Sequence, residues 1–198
     1  LAAMTDDDPE FDELSLEDFP QLVAIARFVQ AFDDVPWFER CGVTPTADDT
    51  ELTEAYLSAL GFPQALVAPL VDWPSLAETL EQSDADAEWR DLEAQLAAGL
   101  VDEALSLISA DELEMALTHV SAMAGESLPQ AAELAALRGG GEADIIQAAT
   151  GAAAHACHQA ALVLAAGGDD EHPFSYKYLL FEAGRWPLGI IGGSFAIF

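Results

Sequence analysis

The sequence predicts an all-α fold: one domain, a bundle of about seven or eight helices, several of them short. Three observations carry this. Apolar residues recur at helical spacing along most of the chain, and Ser- or Thr-led caps and Gly or Pro breaks punctuate those stretches. Before the last 30 residues no segment shows the apolar–polar alternation of a half-buried strand. Apolar residues make up 52% of the 198, too many for a disordered acidic chain. Although 38 residues are alanine, enough larger ones remain to fill a core.

Residues 1–17 read as an acidic, mobile arm, with Asp6, Asp7, Asp8, Glu10, Asp12, Glu13 and Glu17 unaccompanied by any Lys or Arg. Residues 18–198 read as the single helical domain. Asp18 and Gln21 have capping-box spacing with Pro20 in the first turn. The helix they open presents Leu22, Val23, Ile25, Ala26, Phe28 and Val29 nearly all round, so it is expected to be buried. Thr46 caps a second helix covering Glu51 to Leu60, which Gly61 and Pro63 stop. From Gln64 to Leu80, Pro69 and Pro74 are expected to leave only short turns of helix. Trp89, Leu92, Leu96, Leu100, Ala104 and Leu107 mark an amphipathic helix. Ser109 and Glu112 form another capping box, opening a helix to about Ala124; a shorter one over residues 128–138 ends at Gly139-Gly140-Gly141. Residues 143–166 form the central buried helix.

Its neighbourhood, Ile145 to Gly168, is uncharged and long enough to span a bilayer. Gln147, Thr150, His155, His158 and Gln159 within it favour a helix buried in protein, because polar side chains are costly at membrane depth. Residues 174–198 are a Gly-, Pro- and aromatic-rich segment, irregular but long enough for a short strand or hairpin. They hold seven of the 17 aromatic residues and two of the six cations.

Net charge is −30, from 36 acids and 6 Lys or Arg. A chain this acidic lacks the basic face that phosphate recognition needs, so no nucleic-acid partner is expected. Attachment to an anionic membrane is disfavoured for the same reason. The first residues have neither the positive start nor the apolar stretch of a signal peptide, which gives a cytoplasmic expectation. Cys41 and Cys157 do not make a disulfide framework.

The pattern most suggestive of chemistry is His155 and His158, at i and i+3 on one helix, a spacing that can offer two ring nitrogens to one metal ion. A third ligand, His119 or a carboxylate, is then required. Asp169, Asp170, Glu171 and His172 cluster in a Gly-led loop without the pattern of an EF-hand, and read as solvated acids. No phosphate loop or nucleophile elbow is present, so no catalytic residue and no organic cofactor are assigned. Lys177, Arg185 and Trp186 in the aromatic segment are the candidate partner or ligand contacts, since aromatics with Arg are what binding hot spots use.

The sequence therefore points to a non-enzymatic binding or regulatory protein whose acidity reflects a salt-rich cytoplasm, with a protein partner or a second copy as its contact. At ~1 M salt the screening length is ~3 Å, which makes such a charge tolerable. Two alternatives stand beside it: a small metal-dependent enzyme built on His155 and His158, and an acidic inhibitor or immunity-type protein for a basic partner.

Overall fold

The structure is a computed structural model that describes residues 19–82 and 87–198. The expected acidic arm and the Asp18 cap lie outside these residues. Seven helices and a small three-stranded sheet form the domain: α1 (Pro20–Gln30), α2 (Ala47–Leu60), β1 (Leu66–Pro69), α3 (Trp73–Gln82), α4 (Ala87–Leu105), α5 (Ala110–Gly139), α6 (Ala143–Ala165), α7 (Pro173–Glu182), β2 (Pro187–Ile191) and β3 (Ser194–Ile197).

Helix α6 carries one charged residue, Asp144 in its first turn, and is uncharged from Ile145 on. It packs against α1, α4, α5 and α7. Alanines line its longest contact: Ala124, Ala132, Ala135 and Ala136 of α5 are buried, as are Ala149, Ala153, Ala156 and Ala160 of α6. Small side chains let the two backbones approach, so dispersion contacts accumulate where bulky residues would hold the helices apart. No helix among the described residues is long and apolar enough to cross a membrane.

Two of the expected caps form. Thr46 Oγ1 accepts from Asp49 N while an Asp49 carboxylate oxygen accepts from Thr46 N, and Ser109 and Glu112 exchange the same pair of bonds. At α1 the N-cap position is Phe19, with no side-chain bond.

Two expectations are corrected. The helices expected over 109–124 and 128–138 are one continuous helix, α5, with Pro129 inside it. Pro129 and Gly125, four residues earlier, are both exposed, so the carbonyl that proline leaves without its N–H faces water, while Leu128 and Ala132 to one side of them stay buried. The stretch from Gln64 to Leu80 is not merely turns of helix. It contains β1, followed by the ten-residue α3, in whose first turn Pro74 is tolerated.

The strand β1 exists because the C-terminal segment comes to it. The sheet order is β1-β3-β2; β3 runs parallel to β1, pairing Leu66 with Ser194 and Pro69 with Ile197, and antiparallel to β2. The β2–β3 hairpin turns on Gly192 and Gly193, with φ of +59° and +83°; two consecutive positive-φ positions suit glycine and match the twist of the flanking strands. The aromatic segment is thereby folded onto the helices. Phe174, Phe181, Trp186, Phe195 and Phe198 are all buried, each burial stabilising by about 1.5–3 kcal/mol. Phe198 stacks edge-on to Trp73 with ring centroids 5.0 Å apart.

Candidate functional site

Two charged clusters lie in the interior and a third in the exposed loop before α7, and the sequence-derived candidates distribute among these and a groove between α4 and α5. Where α2, α4, α7 and the sheet meet, an apolar cluster of Tyr56, Leu57, Leu60, Trp89, Leu180, Ile190, Phe195 and Ile197 encloses the pair Lys177–Glu93. Lys177 Nζ donates to Glu93 Oε1 at 2.8 Å and to Oε2 at 2.9 Å; the two side chains are 6% and 8% exposed. The Tyr56 hydroxyl donates to Glu93 Oε1 at 2.9 Å, and Trp89 Nε1 donates to that hydroxyl at 3.2 Å. The Lys177 ammonium also lies 5.4 Å from the Trp89 ring centroid, within cation–π range.

The backbone accommodates this arrangement at one strained point. Gly189 in β2 has a φ of +120°, and a Cβ there would sit 2.8 Å from the Trp89 ring, so the indole lies directly on the glycine backbone. Burial drives the Lys177 pKa below the ordinary lysine range, opposed by the Glu93 carboxylate. The Tyr56 hydroxyl is pushed well up by burial and by the Glu93 charge, so it remains a donor.

Beside this network lies a cavity of about 360 Å³ lined by Trp89, Arg90 and Glu93 of α4, Ala148, Ala152 and His155 of α6, Lys177 of α7, and Trp186–Leu188. His155, Lys177 and Trp186 thus come together. His158 does not join them: it lines a separate groove between α4 and α5. Sharing a helix face at i and i+3 leaves these side chains one turn apart, and here α4 intervenes. Among the described residues no group of three His, Cys, Asp or Glu side chains is placed to hold a metal ion. Burial lowers the pKa of both histidines, with the Lys177 charge adding to the effect at His155.

Arg185 is 1% exposed and belongs to the second cluster. Its Nε and Nη2 donate to Asp49 Oδ2 at 3.2 and 2.9 Å, Nη1 donates to the carbonyls of Arg40 and Val43, and Nη2 donates to that of Thr44 at 3.1 Å. All five N–H groups have acceptors, which fastens the loop before α2 to the chain's end. Arg40 holds the same carboxylate from the solvent side. Burial would raise the Asp49 pKa, but hydrogen bonds from Thr46 and the Arg185 charge hold it below the ordinary carboxylate value. Lys177, Arg185 and Trp186, the candidate partner or ligand contacts, are interior residues, 5%, 1% and 3% exposed.

The third cluster is the loop before α7. His172 caps that helix, its Nδ1 accepting from Phe174 N at 3.1 Å, and Asp169 Oδ1 accepts from Glu171 N. The thiols of Cys41 and Cys157 are both pushed up to about 12 by burial, which keeps them protonated and weak as nucleophiles.

Glu93, Tyr56 and Asp49 are the site residues that sequence reasoning missed. For Glu93 a signal existed: it falls four residues after Trp89 and three before Leu96, a charge set into the apolar stripe of its helix.

The chain matches no protein-family model, no curated protein and no solved structure.

Proposed function

We propose that the chain is a non-enzymatic binding or regulatory protein of a salt-rich cytoplasm, and that it takes a basic amphipathic helix of a protein partner into the groove between α4 and α5. The groove supports this reading. Both helices pack on α6 but touch one another little, leaving a groove of about 530 Å³ walled by Val101, Leu105, Leu113 and Leu117. Leu105, Leu107 and Met115 are 44%, 48% and 68% exposed nearby. Between residues 101 and 121 there are five carboxylates, Asp102, Glu103, Asp111, Glu112 and Glu114, and no Lys or Arg. An apolar trough with Glu114 in its wall, on helices whose neighbouring charges are all acidic, suits a helix with an apolar stripe and cationic flanks. In molar salt the charges select orientation and exclude acidic partners, while apolar burial supplies the affinity.

The test is fluorescence anisotropy in molar KCl with a helical peptide carrying leucines at i, i+4 and i+7 between lysines, and a scrambled peptide of the same composition. Saturable binding of the first alone, weakened about ten-fold by Leu117→Gln or Val101→Gln, is the expected result. Equal binding of the scrambled peptide, or variants that bind as well as the parent, overturns the proposal.

A further inference from the structure

We infer that the cavity beside Lys177 is a binding site for a small organic carboxylate with an apolar body. The walls and the polar groups point to the same ligand. On α6, Ala148, Ala152 and His155 share one face, and the two alanines leave the space that larger side chains would fill. Across from them stand Trp89, Trp186, Pro187 and Leu188, a largely aromatic and apolar wall that is rigid because Trp89 is hydrogen-bonded and Trp186 is tied to Phe198 by two backbone bonds. A volume of about 360 Å³ lies at the small end of ligand pockets.

The free donors favour an anion. Glu93 already accepts three hydrogen bonds, two from Lys177 and one from Tyr56, and its charge is paired with the ammonium. Lys177 has three N–H groups, and Glu93 takes two of them, so the ammonium keeps one donor, and the His155 imidazole lines the same space. The cavity thus offers donors and has no spare carboxylate. Four other grooves differ: those lined by Glu114, by Glu54, by Asp170 with Glu182, and by Glu39 and Asp72 with Arg138 all carry net negative walls. In a chain of net charge −30, the one lysine stands at a cavity whose one lining carboxylate, Glu93, is paired. A buried ion pair is a poor source of stability compared with apolar residues of the same volume. A site that needs an ammonium held in place gives such a pair a use.

Because the chain has a single lysine, protein labelled with ¹³C-lysine carries one ε-methylene resonance, and that resonance reports on this site alone. The probes are benzoate, phenylacetate and 3-methylbutanoate, each paired with its neutral amide, titrated to ~10 mM in molar KCl, which reaches a millimolar Kd. The expected result is a saturable shift of the Lys177 signal with at least one carboxylate and none with its amide. His155→Leu, at an exposed position, should weaken that binding about ten-fold through loss of a hydrogen-bond donor to the carboxylate. Ala152→Leu should abolish it by filling the cavity, with circular dichroism confirming the fold. No shift with any carboxylate, equal shifts with the amides, or unchanged binding in both variants would show a dry structural ion pair and overturn the inference.

Discussion

Replacing Arg185 with lysine keeps the charge and removes the fork. The guanidinium reaches Asp49 twice and the carbonyls of Arg40, Val43 and Thr44 once each, at a site 1% exposed. An ammonium has three N–H groups on one nitrogen, so at least two of these five bonds are lost. Hydrogen bonds to charged groups contribute about 1.5–3 kcal/mol, and a buried carbonyl left without a donor costs about 1–3 kcal/mol. Arg40 still neutralises Asp49, and the 40–46 loop can relax toward water, so the lower half of the range applies: Arg185→Lys should destabilise by about 2–4 kcal/mol. Urea denaturation in molar KCl measures this as a shift in midpoint at unchanged slope. Arg40→Lys is the internal control. Its side chain is 37% exposed, and an ion pair at such a position contributes at most about 1 kcal/mol. If Arg185→Lys costs no more than Arg40→Lys, the two guanidinium groups are equivalent and the claim that Arg185 fastens the loop through its geometry is refuted.

Three further outcomes follow from the same structure. Lys177→Met should destabilise by about 3–5 kcal/mol because it strands the Glu93 charge, whereas Lys177→Met with Glu93→Leu should recover most of that loss; equal stability of the single and double variants would place Glu93 in solvent. Burial lowers the His155, His158 and His172 pKa values, so the folded state binds fewer protons than the unfolded one just below pH ~6.5, and stability is full above that value and declines as pH falls through the folded values. His172→Asn keeps an α7 cap while removing one titrating group, and denaturation at pH 7 and pH 5 should show a smaller loss than in the parent. Thermal midpoints should rise strongly from dilute buffer to molar salt, since 36 acids against 6 Lys or Arg repel at low ionic strength; a flat midpoint would remove the salt-adapted reading.

Local signals were legible in the sequence and long-range ones were not. The caps at Thr46 and Ser109 and the break at Gly139–Gly141 all depend on residues within a few positions of one another. The strand β1 does not. Leu66–Pro69 has no strand pattern, and it becomes a strand because Ser194–Ile197, far along the chain, provides its only hydrogen-bonding neighbour among the described residues. Pro129 misled for a related reason: whether proline breaks a helix depends on which way the orphaned carbonyl faces, and that is set by α6. Of the candidate site, three members were read but not their role. Aromatics and cations in one segment marked a candidate contact for a partner or ligand, yet each cation finds a carboxylate on another helix, Glu93 for Lys177 and Asp49 for Arg185, and is held inside. The carboxylates were the missing half of the inference.

The burial of Lys177 has a chemical consequence for the molecule as a whole. As the only lysine, it is also the only side-chain primary amine, so the folded surface offers no lysine to a lysine-directed protease or to any enzyme that tags proteins through that group. Such chemistry must wait until α7 separates from α4. The rate at which a lysine-directed protease cuts after Lys177 therefore times a specific opening event, and the cut falls just ahead of residues 178–198, the segment that carries β2 and β3.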